Sequence, residues 1–406
     1  MKSHSIKYFS SGESDGADTE YIYINYKVDP SCLLENTKKY ETSLTSYNII
    51  NTNDKYRSVI LSYPENILLS FSPIHSISVE EFIDKNPEIT DDIYINECIE
   101  GTMIQLFYDP RVEKWEIATK SAVGANYWYY RTQYGNEGSE YTFKQMFLSA
   151  FRADLDSDIN TLPFLEYLQK EYSYTFVLKH PLNHIVQTVE YPIVYLVAVY
   201  HICDDRAIYI PPIIYEEWDC FLNIRGIIEF PQSFDESKYE FYMSNWDNKN
   251  YNSMGYMMTN LKTGERCHIE NSFYSYLKEL RGNHPNLQYC YLELVKNNQL
   301  QEFLNYFPRY EVLFNWFYLK YCEFLDNLHY WYVSIYIKKE GKRSPKKYFP
   351  IIYKLHHEIF IPSMAAGKKK VMKKPIIDNY LSKLGTGSLI HYMNLSDSEL
   401  EQNIIR

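Results

Sequence analysis

The sequence lacks any stretch near the ~20 consecutive apolar residues that a membrane-spanning helix needs. Its longest greasy run, Tyr191–Tyr200 (YPIVYLVAVY), has the length and β-branched character of a strand. The opening, MKSHSIKYFSSGESDGADTE, has no apolar core of the signal-peptide kind, so residues 1–20 read as a flexible polar leader. Also missing are a C-x-x-C pair and any His pair at zinc-ligand spacing. The cysteines, Cys32, Cys98, Cys203, Cys220, Cys267, Cys290 and Cys322, are scattered and odd in number. No metal site is expected from them, and a reduced, cytoplasmic setting fits. Alanine is scarce at 10 residues while tyrosine reaches 42, and Asn, Ile and Lys are abundant. That is the codon bias of an A+T-rich genome and says little about function. The formal net charge of −11 argues against a uniformly basic nucleic-acid binder.

What is present is ample core material: 45% of the 406 residues are hydrophobic and 17% aromatic, enough for two domains. Short β-branched and aromatic runs predict strands at Tyr21–Tyr26, Ser58–Leu61, Ile67–Phe71, Thr102–Phe107, Trp115–Thr119, Thr175–Lys179 and Ile193–Tyr200. Helices interrupt them near Val79–Lys85 and Phe143–Asp154, the latter with Thr142 as its cap. Beyond about residue 271 the period becomes helical, over Asn271–Arg281, Leu300–Phe307, Tyr310–Lys338, Tyr348–Phe360 and Pro375–Leu384. Tyr330–Ile337 is β-prone, and Leu280–Leu294 reads as a hinge followed by a strand or a helix. The fold class is therefore α+β: a sheet-rich domain over 21–274, then a helical domain over 275–406. Charge is segregated. Between Lys338 and Lys374 twelve Lys or Arg face only Glu340 and Glu358, a local charge of +10, which leaves −21 on the rest. The densest piece contains Lys368, Lys369, Lys370, Lys373 and Lys374. Such a run is either a solvated loop or a phosphate-facing, RNA-binding patch.

The most telling segment is Glu97–Asn126 (ECIEGTMIQLFYDPRVEKWEIATKSAVGAN): an acidic-Gly turn opens a strand, a hairpin returns, and the second strand ends in Thr119-Lys120-Ser121. Upstream lie Tyr56-Arg57-Ser58-Val59-Ile60 and Ser72-Pro73-Ile74-His75-Ser76. Downstream lie Phe176–Val186 (FVLKHPLNHIV), Met254-Gly255-Tyr256-Met257 and Arg266-Cys267-His268-Ile269-Glu270. In order and spacing this resembles the phage-type ATP-dependent RNA ligases that repair tRNA breaks, over roughly residues 21 to 384. The resemblance implies a nucleotidyltransferase domain (ATP-grasp-like, of the RNA/DNA ligase kind) with antiparallel sheets, followed by an all-helical C-terminal domain. Together with the A+T bias it resembles proteins of large DNA viruses.

The resemblance also assigns roles. Arg57, Glu100, Gly101, Asn183 and Gly255 fall on nucleotide-binding positions. The adenylylated lysine falls on Cys98, the metal-holding glutamate on Val177, the second glutamate on Met254, and the two terminal lysines on His268 and Glu270. A thiol can act as a nucleophile when ionised, but valine offers Mg²⁺ no oxygen. Lys120 and Lys179 are candidates for a displaced catalytic lysine, Lys179 because it shares a strand face with Val177. Each is otherwise an ordinary paired or solvated lysine, and Cys98 a small buried residue. His180, His184 and His201 suggest a metal or a general base but lack a third partner by spacing. Three readings stay open: an RNA-binding ligase-like pseudoenzyme, an active ligase using ATP and Mg²⁺ with a displaced lysine, and a structural or interaction scaffold.

Overall fold

The computed structural model describes residues 25–28, 37–42, 45–50, 56–87, 92–127, 141–222, 224, 226–234, 253–367 and 371–395. The leader 1–20 and most of the Tyr21–Tyr26 strand lie outside them. The chain divides into two units, residues 1–279 and 280–406.

The described part of the first unit is built on three antiparallel sheets. The largest has the order β1 (Asn25–Lys27), β12 (Arg206–Ile210), β11 (Ile193–Cys203), β10 (Tyr172–Lys179), β7 (Thr102–Asp109), β8 (Lys114–Thr119), β9 (Ala122–Val123). A second runs β2 (Thr37–Glu41), β3 (Ser46–Ile50), β4 (Val59–Tyr63), β5 (Leu68–Phe71). The third runs β13 (Ser233–Phe234), β6 (Ile93–Glu97), β14 (Gly255–Asn260), β15 (Arg266–Glu270). The period of two in β10 sorts its side chains: Tyr172, Tyr174, Phe176 and Leu178 enter the main core, while Ser173 and Thr175 face the other way. That core is closed by helix α2 (Phe143–Ala150) through Phe143, Met146 and Phe147. Thr142 caps α2 as expected, in a reciprocal box with Gln145. The helix ends four residues earlier than the sequence suggests: Arg152 takes a φ of 56°, and Phe151 turns aside to stack on Phe164 at 4.4 Å.

The other face of the large sheet carries the β2–β5 sheet, and a polar seam joins them. The Ser70 hydroxyl donates to Gln105 Oε1 at 2.7 Å and lies 2.8 Å from the Ser173 hydroxyl, while Gln105 Nε2 donates to Ser58 at 2.6 Å. All four residues are fully buried. Helix α1 (Val79–Lys85) appears where the sequence predicts it and packs Phe82 against Ile93, Ile95, Met258 and Cys267 of the third sheet. Helix α3 (Ser272–Arg281) follows β15 directly.

The described part of the second unit is helical: α4 (Leu287–Lys296), α5 (Leu300–Tyr306), α6 (Glu311–Tyr332), α7 (Phe349–Lys354), α8 (Ile361–Ala365), α9 (Lys374–Leu381) and α10 (Thr386–Asn394). The aromatic stretch after the Gly-Asn turn is thus a helix, α4, with the Asn286 side chain accepting from the Tyr289 N–H. The β-prone stretch stays helical too, as α6 runs into a π-helical turn over Val333–Ile337. Packing overrides propensity there: Leu328 and Tyr332 are fully buried, and the Tyr332 hydroxyl lies 3.2 Å from His356 Nδ1. The α+β class and the helical C-terminal unit are what the patterning indicated, and the antiparallel sheets are what the resemblance implied. Among the described residues no helix is long and apolar enough to cross a membrane.

Candidate functional site

Three loops and one strand of the first unit surround an open cleft of about 460 Å³. Arg57 enters it just before β4, Lys120 from the turn between β8 and β9, and His75, Ser76 and Ser78 from the loop that leads into α1. His268 and Glu270 enter from β15; two apart on a strand, they share one face, while Cys267 and Ile269 turn to the α1 core. The loop is held in place: Arg266 Nε donates to Ile74 O at 2.8 Å, and the Ser78 hydroxyl caps α1 by accepting from Glu81 N.

Two cations dominate the cleft. Burial, and then the nearby Arg266 charge, lower the Arg57 pKa, but a guanidinium remains charged at neutral pH. Glu270 faces the same space; its Oε2 accepts from Ser275 at 2.7 Å and its Oε1 lies 3.7 Å from His268 Nδ1. Burial holds His268 below the usual imidazole value, and among the described residues its buried Nε2 has no hydrogen-bond partner. The ring fits only because residue 255 is glycine: a Cβ there would stand 2.9 Å from His268 Nε2 and 2.2 Å from Ile269 O, and φ is 141°.

Of the residues singled out from sequence, Arg57 and Lys120 line this cleft. Glu100 does not; its carboxylate is the anchor of the loop after β10. Oε1 accepts from the Ile185 and Val186 N–H groups, and Oε2 from Gln187 N at 3.0 Å and the Tyr274 hydroxyl at 2.7 Å. Tyr274, buried on α3, carries no sequence signal for this role. Asn183 donates to Thr102 Oγ1 at 2.6 Å and ties down the same loop. Gly101 lets β7 start against β10, since a Cβ would meet Leu178 O at 2.5 Å and Val177 Cγ1 at 2.7 Å.

The candidate nucleophiles differ in their surroundings. Lys179 is half-buried, its ammonium donating to Gln187 Oε1 at 2.7 Å; burial lowers its pKa, and the Glu97 and Glu100 charges partly offset this. It is a neighbour of Glu100, and Lys120 lines the cleft. Burial pushes the Cys98 thiol up to about 11, against the opposing pull of Arg266 and Arg57, so it is protonated and a poor nucleophile at neutral pH. Its Sγ lies 3.9 Å from Met254 Sδ. His180 is buried, with Nε2 3.1 Å from the Ser149 hydroxyl and Nδ1 accepting from Leu182 N. Burial and His184 lower its pKa to about 4. Among the described residues no group of three His, Cys, Asp or Glu could hold a metal ion. In the second unit Lys373 is exposed and Lys374 pairs with Asp326; Lys368, Lys369 and Lys370 lie outside the described residues.

No protein-family model and no curated protein sequence matches the chain. Solved structures that it is similar to are ATP-dependent RNA and DNA ligases. A point mutant of the Naegleria gruberi RNA ligase with ATP and Mn is 14% identical, with a TM-score of 0.36 over 67% of this chain and 88% of that one. A second mutant of that ligase, with AMP and Mn, is 14% identical with a TM-score of 0.36, over 64% and 85%. A putative ATP-dependent DNA ligase from Aquifex aeolicus is 10% identical with a TM-score of 0.40, covering 81% of each chain.

Proposed function

We propose that this protein is a ligase-like RNA-binding protein that holds RNA phosphate in the Arg57–Lys120 cleft and does not form an adenylylated intermediate. The observation that carries this reading is the contact between Cys98 and Met254. These are the positions that the resemblance gives to the nucleophilic amine and to a catalytic glutamate, and here they meet as two sulfur atoms. The third such position, Val177, packs where Gly101 approaches β10. An amine and two carboxylates have become a thiol, a thioether and an isopropyl group.

Phosphoryl transfer depends on hard oxygen ligands around Mg²⁺ and on a nucleophile that is free at working pH. The residues present do not fit that ion. They do fit an anion: Arg57 and Lys120 supply charge, Ser76 and Ser78 supply hydroxyls, and a cleft of about 460 Å³ suits a nucleotide-sized group. Glu270 sets a limit, since its charge disfavours a triphosphate more than a single phosphate.

The test uses the full chain. Incubation with ATP labelled at the α-phosphate and Mg²⁺ or Mn²⁺ should leave no covalent label, while a 5′-phosphorylated RNA should bind and lose affinity in Arg57→Ala and Lys120→Ala. A covalent adduct that vanished in Lys120→Ala would replace this reading by an active ligase with a displaced lysine. RNA binding that was absent, or indifferent to salt and to both substitutions, would favour a scaffold.

A further inference from the structure

The second unit exposes a row of rings that its core does not use. On α7 and the π-helical turn that follows it, Ile351, Ile352 and Leu355 are buried. His356 is tucked in beside them, stacked on Tyr336 at 3.7 Å. The opposite side carries Phe349, Tyr353 and His357. Phe349 is 52% exposed and Tyr353 47% exposed, and His357 is exposed as well. Successive ring centroids are 6.0 and 4.1 Å apart, so the three form a continuous ladder. Large exposed apolar groups in register are uncommon on a free surface and mark a binding face.

The charge around this ladder narrows the partner. It lies inside the Lys338–Lys374 segment, whose net charge is +10. Lys346, Lys354 and Arg343 of the same segment are exposed. Of the two acidic residues in that segment, Glu340 is already occupied by Lys342 and Lys338. Glu358, next to His357, is the other. A row of flat rings in a basic field suits a polyanion that also offers flat apolar faces. Bases in a duplex are stacked on one another and unavailable, whereas those of a single strand are free to stack on aromatic side chains.

We infer that Phe349, Tyr353 and His357 form a stacking platform for single-stranded nucleic acid, with Lys346, Lys354 and Arg343 following its backbone. The inference deepens the RNA-binding reading above by naming the form of the ligand, and it uses residues far in sequence from the cleft.

Fluorescence anisotropy with the full chain and labelled 12-nucleotide oligomers tests it. Single-stranded RNA should bind more tightly than a hairpin of equal charge, with an affinity that falls as salt rises. Tyr353→Ala and Phe349→Ala should each weaken single-strand binding about ten-fold, while Tyr353→Phe retains it, because stacking needs the ring and not the hydroxyl. A deoxy oligomer that binds equally assigns the platform to either nucleic acid; one that binds distinctly more weakly assigns it to RNA. If both alanine variants bind as the wild type does, while Arg57→Ala or lysine substitutions weaken binding, the platform is refuted and the RNA-binding reading stands. Equal binding of hairpin and single strand also refutes it, leaving the ladder to a protein partner. Absence of any RNA binding by the wild type overturns both.

Discussion

The Glu100 anchor can be tested by Glu100→Gln. The carboxylate accepts from three consecutive backbone N–H groups and one phenol while only 6% exposed. The amide has one acceptor oxygen where the acid has two, and its NH₂ would point at donors already there. A hydrogen bond to a charged group is worth about 1.5–3 kcal/mol, and a stranded buried donor costs about 1–3 kcal/mol. Losing the charge and stranding at least one N–H therefore costs roughly 2–4 kcal/mol of local stability. The chain has two units, so a single global unfolding free energy is not the right readout. Hydrogen exchange at the Ile185, Val186 and Gln187 amides is, because it reports opening at the bonds concerned. Protection there should fall about 30- to 1000-fold, the stated energy converted at 1.4 kcal/mol per factor of ten. Tyr274→Phe should give a smaller loss, and the double variant less than the sum, since both act on one carboxylate. A rise in exchange below about five-fold would refute the reasoning, as would strict additivity of the two substitutions.

Three further outcomes follow from geometry and charge. Alkylation of Cys98, followed by peptide mass spectrometry, should climb only as pH approaches the thiol value of about 11. With that value raised above the unfolded one, ionisation costs stability as pH rises from about 9 to 11. Burial, reinforced by Asp158 and Asp109, pushes the Glu116 carboxyl up to about 7. A raised acid is neutral in both states at low pH and penalises the fold as pH climbs through 4.5 to 7, so Glu116→Gln should be neutral near pH 4 and stabilising by about 1–3 kcal/mol at pH 8, read as hydrogen-exchange protection of the β8 amides. Gly255→Ala should destabilise the first unit by about 3 kcal/mol or more and disturb the cleft through His268, visible as a lowered midpoint together with weakened phosphate binding.

Much of the fold was legible because it obeys simple periods. The β10 text FVLK and the β11 text IVYLVAVY alternate or run apolar as buried strands do, and Thr142 and Gln145 announce the start of α2. The end of α2 was not legible, because a long-range ring stack at Phe164 decides it. Nor was the state of Val333–Ile337, where the Tyr336 ring stacks on His356 against β-branched propensity. The cleft was half legible: Arg57, Lys120 and the His75-Ser76 loop stand in recognisable order. The pairing of Lys179 with Gln187 depends on the course of the loop after β10, and no spacing rule contains it. Tyr274 was invisible because a phenol on an amphipathic helix looks like any other aromatic core residue.

The sulfur contact between Cys98 and Met254 also limits what either position can hold. A lysine at position 98 alone would set an ammonium near the Arg57 and Arg266 charges that already act on that site, with only a thioether to meet it. A carboxylate at 254 alone would gain no amine to meet. Each single substitution is worse than the present pair, so the two positions constrain each other and are best varied together.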